Sequence, residues 1–238
     1  MPRIVLVTGA SRGIGRAAAR AIAKTGAHVI AVARTVGGLE ELDDEIKKDG
    51  GDGATLVPMD LRNFDGLDQL GASIHERWGR LDGLFGNAGS LGELSPITHL
   101  APKMWQEALD VNVTANWRLI RSLDPLLKKS EAGRAVFMTS GAARKHTPFW
   151  GSYAVTKAAL ESLVLTYAAE CEGSNVKANL FSPGPLRTRM RARAMPGEDP
   201  NTLEPPEAVT PLIVEMLSAS YAKNGALNLY QRTGSSAS

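Results

Sequence analysis

Short runs of β-branched and apolar residues alternate along this chain with longer stretches in which apolar positions recur every three or four residues. The first pattern suits strands buried on both faces, and the second suits helices laid against them. The runs predict strands at residues 4–7, 28–33, 54–59, 84–85, 135–139, 176–181 and 227–230. Helices are predicted between them, at 15–25, 39–48, 65–78, 111–129, 152–171 and 207–217. Alternation of strand and helix from end to end marks a parallel sheet covered by helices. Residues 1–233 are therefore expected to form one α/β domain, a doubly wound Rossmann sheet of seven parallel strands with helices on both faces. No composition shift or internal repeat divides the chain. The proline-rich stretch GEDPNTLEPPE, residues 197–207, reads as a surface loop, and 234–238 as a disordered tail.

Composition narrows the function mainly by exclusion. With 27 Lys and Arg against 25 Asp and Glu, the formal charge of +2 gives no reason to expect a nucleic-acid or membrane partner. The single cysteine, Cys171, cannot form an internal disulfide and sits in a helical pattern, which fits a packing residue in a reducing compartment. No run approaches ~20 apolar residues, and the opening MPRIVLVTGASRGIG lacks a signal-peptide layout, so a cytoplasmic protein is expected. No metal site is expected.

Sheets of this kind bind ligands at the carboxyl ends of their strands, near the point where strand order reverses. After the first strand comes TGASRGIG, residues 8–15, with glycines at 9, 13 and 15 ahead of an alanine-rich helix. Glycine lets the backbone turn tightly and approach a pyrophosphate, which the N–H groups and positive dipole end of the following helix can hold. Much later, GSYAVTK at 151–157 places Tyr153 and Lys157 four apart at the opening of a helix, on one face. A phenol with a reference pKa of about 10 is a poor proton shuttle at neutral pH, and a cation nearby would lower that value.

The spacing GxxxGxG, followed in order by NAG at 87–89, VNV at 111–113, Ser140 thirteen residues before Tyr153, YxxxK, and PGPLRT at 183–188, resembles the short-chain dehydrogenase/reductase family along nearly the whole chain. The resemblance implies a catalytic group of Asn112, Ser140, Tyr153 and Lys157. Ser140 would hold the substrate oxygen, Tyr153 would move the proton, Lys157 would make the tyrosine more acidic and grip the nicotinamide ribose, and Asn112 would interrupt its helix and help hold a relay water. Cofactor contacts are implied at Gly9, Ser11, Arg12, Gly13, Ile14 and Gly15 in the glycine loop, at Asn87, Ala88 and Gly89, and at Pro183, Gly184 and Thr188, besides Tyr153 and Lys157. Asp60, with Leu61 beside it, resembles the family's adenine-binding aspartate and reads equally well as a plain strand-end residue. One departure is GNAG where the family has NNAG, putting Gly86 first; it is expected to cost stability rather than chemistry.

The exit of the second strand, AVART, offers Ala33 and Arg34 where an NAD-binding fold normally has a carboxylate for the ribose 2′-hydroxyl. With Arg12 in the glycine loop, this favours NADP(H) over NAD(H), since a guanidinium can pair a 2′-phosphate. In LRTRMRARA, residues 186–194, a helical wheel puts Leu186, Met190 and Ala194 on one stripe, with Arg187 and Arg191 on one flank and Arg189 and Arg193 on the other. The segment reads either as an amphipathic lid with arginines at its rim or as solvated surface charge. The expected activity is an NADP(H)-dependent oxidoreductase interconverting a small-molecule secondary alcohol and ketone. A 3-oxoacyl-carrier-protein reductase remains open, as does a non-catalytic dinucleotide-sensing regulatory protein. A homodimer or homotetramer is expected through the helices at 111–129 and 152–171, with Trp117, Leu163 and Tyr167 facing outward.

Overall fold

The structure, a computed structural model, describes residues 2–231, so the tail expected at 234–238 lies outside the described residues. Seven strands, β1 (Ile4–Thr8), β2 (His28–Ala33), β3 (Ala54–Pro58), β4 (Gly83–Gly86), β5 (Arg134–Met138), β6 (Lys177–Ser182) and β7 (Leu227–Leu229), form one sheet. Their order is β3-β2-β1-β4-β5-β6-β7, and each neighbouring pair is parallel. The winding reverses between β1 and β4, so the expected crevice opens beyond Thr8 and Gly86. The helices are α1 (Gly13–Ala23), α2 (Val36–Lys48), α3 (Phe64–Trp78), α4 (Pro102–Leu109), α5 (Ala115–Lys128), α6 (Ala142–Lys145), α7 (Gly151–Glu170), α8 (Arg189–Ala194) and α9 (Thr210–Met216).

The continuous apolar strands make sense because each face of the sheet has its own core. Side chains alternate across a strand. Ile4 and Leu6 pack with α3, α5 and α7 through Leu67, Leu119 and Leu160, while Val5 and Val7 pack with α1, α2 and α9 through Ala18, Leu39 and Ile213. At the amino ends of the strands Arg3 donates to the carbonyls of Asp82, Ala132 and Leu217 at 2.7, 3.1 and 3.0 Å, satisfying backbone groups there.

Several expectations are corrected. The helix predicted at 111–129 begins earlier, at Pro102, and passes through a π turn at Asp110–Thr114 before continuing as α5. Tyr167 does not face outward: it is 6% exposed and donates its hydroxyl to Asp124 at 2.9 Å. Leu163 is packed partly against the core, whereas Trp117 is 44% exposed, with Arg118 and Arg121 over its ring. The 186–194 stripe also breaks up. Leu186 precedes the helix, is buried and pairs with Glu204 in a β-bridge, and the helix starts only at Arg189, capped by the Thr188 hydroxyl on the Arg191 amide at 3.1 Å. Gly86 carries no packing deficit, because a Cβ there would lie 2.4 Å from the Phe137 ring and 3.0 Å from the Asn116 side chain. Those two groups already fill the volume that a larger residue would need. Among the described residues no helix is long and apolar enough to cross a membrane.

Candidate active site

The glycine loop between β1 and α1 is built for close approach. Gly9 and Gly13 hold φ of +67° and +55°, where side chains are strained, and a Cβ on Gly15 would lie 2.3 Å from the Gly9 carbonyl oxygen. Arg12 occupies the N-cap of α1 without a capping hydrogen bond from its side chain. The first-turn N–H groups therefore face the crevice without a side-chain acceptor, a cradle that fits an anionic pyrophosphate. Across the crevice, the Thr188 methyl would be 3.8 Å from a Cβ on Gly13, which brings the segment after β6 against the loop. Ile14 packs partly against the core, and Ser11 lies against Gly38 at the start of α2.

Asn87 turns out to brace this loop. Its side-chain amide donates to the Thr8 carbonyl at 2.9 Å, and the backbone amides of Asn87 and Ala88 both donate to the Thr8 hydroxyl at 3.0 Å. Asp60 is already engaged by Arg62, through the Arg62 backbone amide at 2.9 Å and the guanidinium at 2.8 Å, and the Arg62 hydrogen bond holds its carboxyl below the usual range. Arg34 stands 3.8 Å from the same carboxylate with its side chain 64% exposed. Arg12 is exposed. The Leu61 side chain is buried in the core, so only its backbone remains for a ligand.

The catalytic candidates converge at the exits of β4 and β5. Tyr153 and Lys157 leave successive turns of α7, with Lys157 Nζ 5.8 Å from the centre of the phenol ring. Trp150 packs edge-on against Tyr153 at 6.0 Å. Ser140, just past β5, stands close enough to Tyr153 to draw its phenol pKa down. Asn112, fully buried in the π turn, donates its side-chain amide to the Ser90 carbonyl at 2.8 Å and to the Thr156 hydroxyl at 2.9 Å, and accepts from the Ser90 amide at 2.8 Å. Thr156 in turn donates to the Tyr153 carbonyl at 3.0 Å. Asn112 thus ties the loop after β4 to the catalytic helix, and its own carbonyl accepts the Asn116 amide at 2.9 Å. Gly89 sits over both groups: a Cβ there would lie 3.3 Å from the Asn112 oxygen and 3.5 Å from Lys157 Nζ. Ser90, Thr156 and Asn116 were not picked out from sequence, although Thr156 lies inside the YxxxK motif.

The electrostatics correct one expectation. Burial pushes the Tyr153 phenol above its ordinary value of 10.0, and the nearby Ser140 side chain pulls it only part of the way back. Desolvation outweighs the pull of the Lys157 ammonium, 5.8 Å from the ring centre. That ammonium is itself buried, is pulled down to about 8 by desolvation, and donates to the Met138 carbonyl at 2.7 Å. Tyr153 is therefore held in its protonated form. Cys171 is buried and its thiol is raised by that burial, which suits packing and not nucleophilic chemistry.

These features coincide with known proteins over most of the chain. The sequence profile of the short chain dehydrogenase family matches residues 3–199. The uncharacterized oxidoreductase YciK of Escherichia coli is 39% identical over 217 residues, covering 90% of this chain and 86% of YciK. A short chain dehydrogenase of Pseudomonas syringae superposes with a TM-score of 0.93 at 40% identity, covering 96% of this chain and 94% of the other. A short chain dehydrogenase of Escherichia coli CFT073 solved with NADPH superposes with a TM-score of 0.91 at 38% identity, over 95% of each chain. The chain belongs to the short-chain dehydrogenase family and is an oxidoreductase of the class acting on CH–OH groups.

Proposed function

We propose that the protein is an NADP(H)-dependent oxidoreductase that interconverts a secondary alcohol and a ketone, with Tyr153 as general acid and base. The observation that carries this reading is the meeting of Ser140, Tyr153 and Lys157 around a phenol whose proton is retained. The cofactor, when bound in the glycine cradle, supplies or accepts the hydride. Ser140, beside Tyr153, can hold the substrate oxygen, and the Tyr153 hydroxyl gives its proton to that oxygen as negative charge develops. The Lys157 ammonium, on the adjacent turn, stabilises the phenolate left behind.

Arg12 and Arg34 support the phosphorylated cofactor, and so does the NADPH-bound relative. Exposed Arg187, Arg189 and Arg193 keep an acidic carrier's 3-oxoacyl thioester as a second reading. Pairing of copies through α5 and α7 is part of the proposal, on the narrower apolar surface of exposed Trp117 and Leu165.

A turnover screen over ketones, secondary alcohols and 3-oxoacyl thioesters, followed by NADPH absorbance, identifies the substrate. Tyr153→Phe should then lower kcat by roughly 100-fold or more while NADPH affinity holds within about two-fold. A variant that keeps wild-type turnover would refute the assigned proton transfer.

A further inference from the structure

Two successive turns of α7 grip two successive residues at the end of β5. Lys157 Nζ donates to the Met138 carbonyl at 2.7 Å, and one turn later Glu161 Oε1 accepts the Thr139 hydroxyl, also at 2.7 Å. The same oxygen takes the guanidinium of Arg144, which arrives from α6. Thr139 immediately precedes Ser140, and Arg144 follows it by four residues. Between these two fastened points Ser140 sits in a tight turn, its hydroxyl accepting the Ala142 amide at 3.2 Å and its carbonyl the Ala143 amide at 3.1 Å. Thr139 is buried and the Glu161 side chain is only 15% exposed, so water competes weakly for the clamp.

We propose that Glu161 is a positioning residue: by holding Thr139 and Arg144 on either side of the Ser140 turn it sets the Ser140 hydroxyl against Tyr153, and its charge steadies the buried Lys157 ammonium. The inference rests on the proposed Tyr153 chemistry and adds a residue outside the four-membered catalytic group. The surroundings of Lys157 leave Glu161 in that role. On α7 the ammonium is faced by Tyr153 and Glu161, from β5 by the Met138 carbonyl, and from the π turn and the loop after β4 by neutral Asn112 and Gly89. Arg144 on α6 is neutralised by Glu161 itself. Among the described residues Glu161 is the charge that favours the protonated lysine, against desolvation.

Glu161→Gln keeps an acceptor for Thr139 but removes the charge and the Arg144 ion pair. With a ketone that the wild type reduces, kcat should fall roughly ten- to a hundred-fold, since small misplacements near a reacting centre are costly. NADPH affinity should stay within about two-fold. The high-pH loss of kcat should move to lower pH, because Lys157 gives up its proton more easily without the carboxylate. Arg144→Met, on the exposed arm of the clamp, should lower kcat less and leave the pH profile in place. Unchanged kcat and an unchanged pH profile in folded Glu161→Gln would overturn the proposal, and so would a loss confined to NADPH binding. An activity-free readout separates the clamp from the chemistry. Tyrosinate absorbance, taken as the difference from Tyr153→Phe, should show Tyr153 titrating higher in Glu161→Gln, because the Ser140 side chain that lowers it is no longer held in place. That shift in a protein with no carbonyl turnover would sink the Tyr153 chemistry and keep the clamp; its absence would sink the clamp.

Discussion

Replacing Lys157 with methionine should make the protein more stable and catalytically poorer at the same time. The lysine is 2% exposed, and desolvation brings its ammonium from an ordinary 10.5 down to about 8. A depression of that size corresponds to about 3 kcal/mol of unfavourable burial, at about 1.4 kcal/mol per pKa unit. Methionine of similar length removes the charge but also the hydrogen bond to the Met138 carbonyl, which returns about 1 kcal/mol. The net gain is about 2 kcal/mol, or roughly 4–8 °C in Tm for a domain of this size. The pH dependence has a definite sign. Below pH 8 folded and unfolded chains both carry the proton and the wild type bears the full penalty. Between about 8 and 10.5 only the unfolded chain binds it, so wild-type stability from this group rises and the advantage of the variant shrinks. Urea unfolding of both proteins at a series of pH values from 7 to 10 tests this directly. Equal or lower stability of Lys157→Met at pH 7, or an advantage that does not shrink as pH rises, would refute the assignment of a buried, destabilising charge. NADPH affinity and turnover should both fall in the variant, as the proposed roles of Lys157 toward the phenolate and the ribose require.

Ala33→Asp combined with Arg34→Ala should invert the cofactor preference. Arg34 is largely exposed and shares Asp60, so its contact is placed at the lower end for a charge-assisted bond, about 1.5 kcal/mol or ten-fold in affinity. Titration of both proteins with NADPH and NADH decides it, and an unchanged preference counts against these arginines as phosphate readers. Gly15→Ala should lower stability by about 1–3 kcal/mol and weaken NADPH binding, because its Cβ would meet backbone at 2.3 Å; wild-type Tm in the variant would contradict the cradle geometry. Light scattering should give a mass well above the 25.3 kDa of one chain, and a monomer at all working concentrations would remove α5 and α7 as pairing faces.

The centre of the sheet was legible because β1, β2, β4 and β5 send alternate residues into two separate cores, so each carries an apolar run. Helix α4 was not, since MWQEAL is short and joins α5 through a π turn that no propensity signals. The face of α7 was misjudged for a different reason. Its AALESLVLTYAA run is apolar on nearly every side, so a wheel has no polar face by which to orient it, and Tyr167 goes inward to Asp124. The segment at 186–194 failed because the wheel was started too early: Thr188 is a good N-cap and could have placed the helix start at Arg189. Glu161 was within reach of the same spacing rule that pairs Tyr153 with Lys157, extended by one more turn.

The sign of the tyrosine shift lay beyond sequence reasoning, and it alters how the site works. Spacing shows that a cation stands near a phenol, but desolvation decides which effect wins, and burial of Tyr153 and Lys157 is set by the packing of the whole fold, not by one helix. With the phenol raised above 10.0 and the ammonium lowered from 10.5 to about 8, the order of proton affinity reverses and the phenol holds its proton more tightly than the lysine. The phenol therefore keeps its proton until charge develops on a substrate oxygen, which is what a general acid needs. An exposed lysine would stay near 10.5 and would act mainly as a fixed charge, screened by solvent. Burial is thus what makes Lys157 responsive to its neighbours, and it is also why one carboxylate a turn away, Glu161, has leverage over the pair.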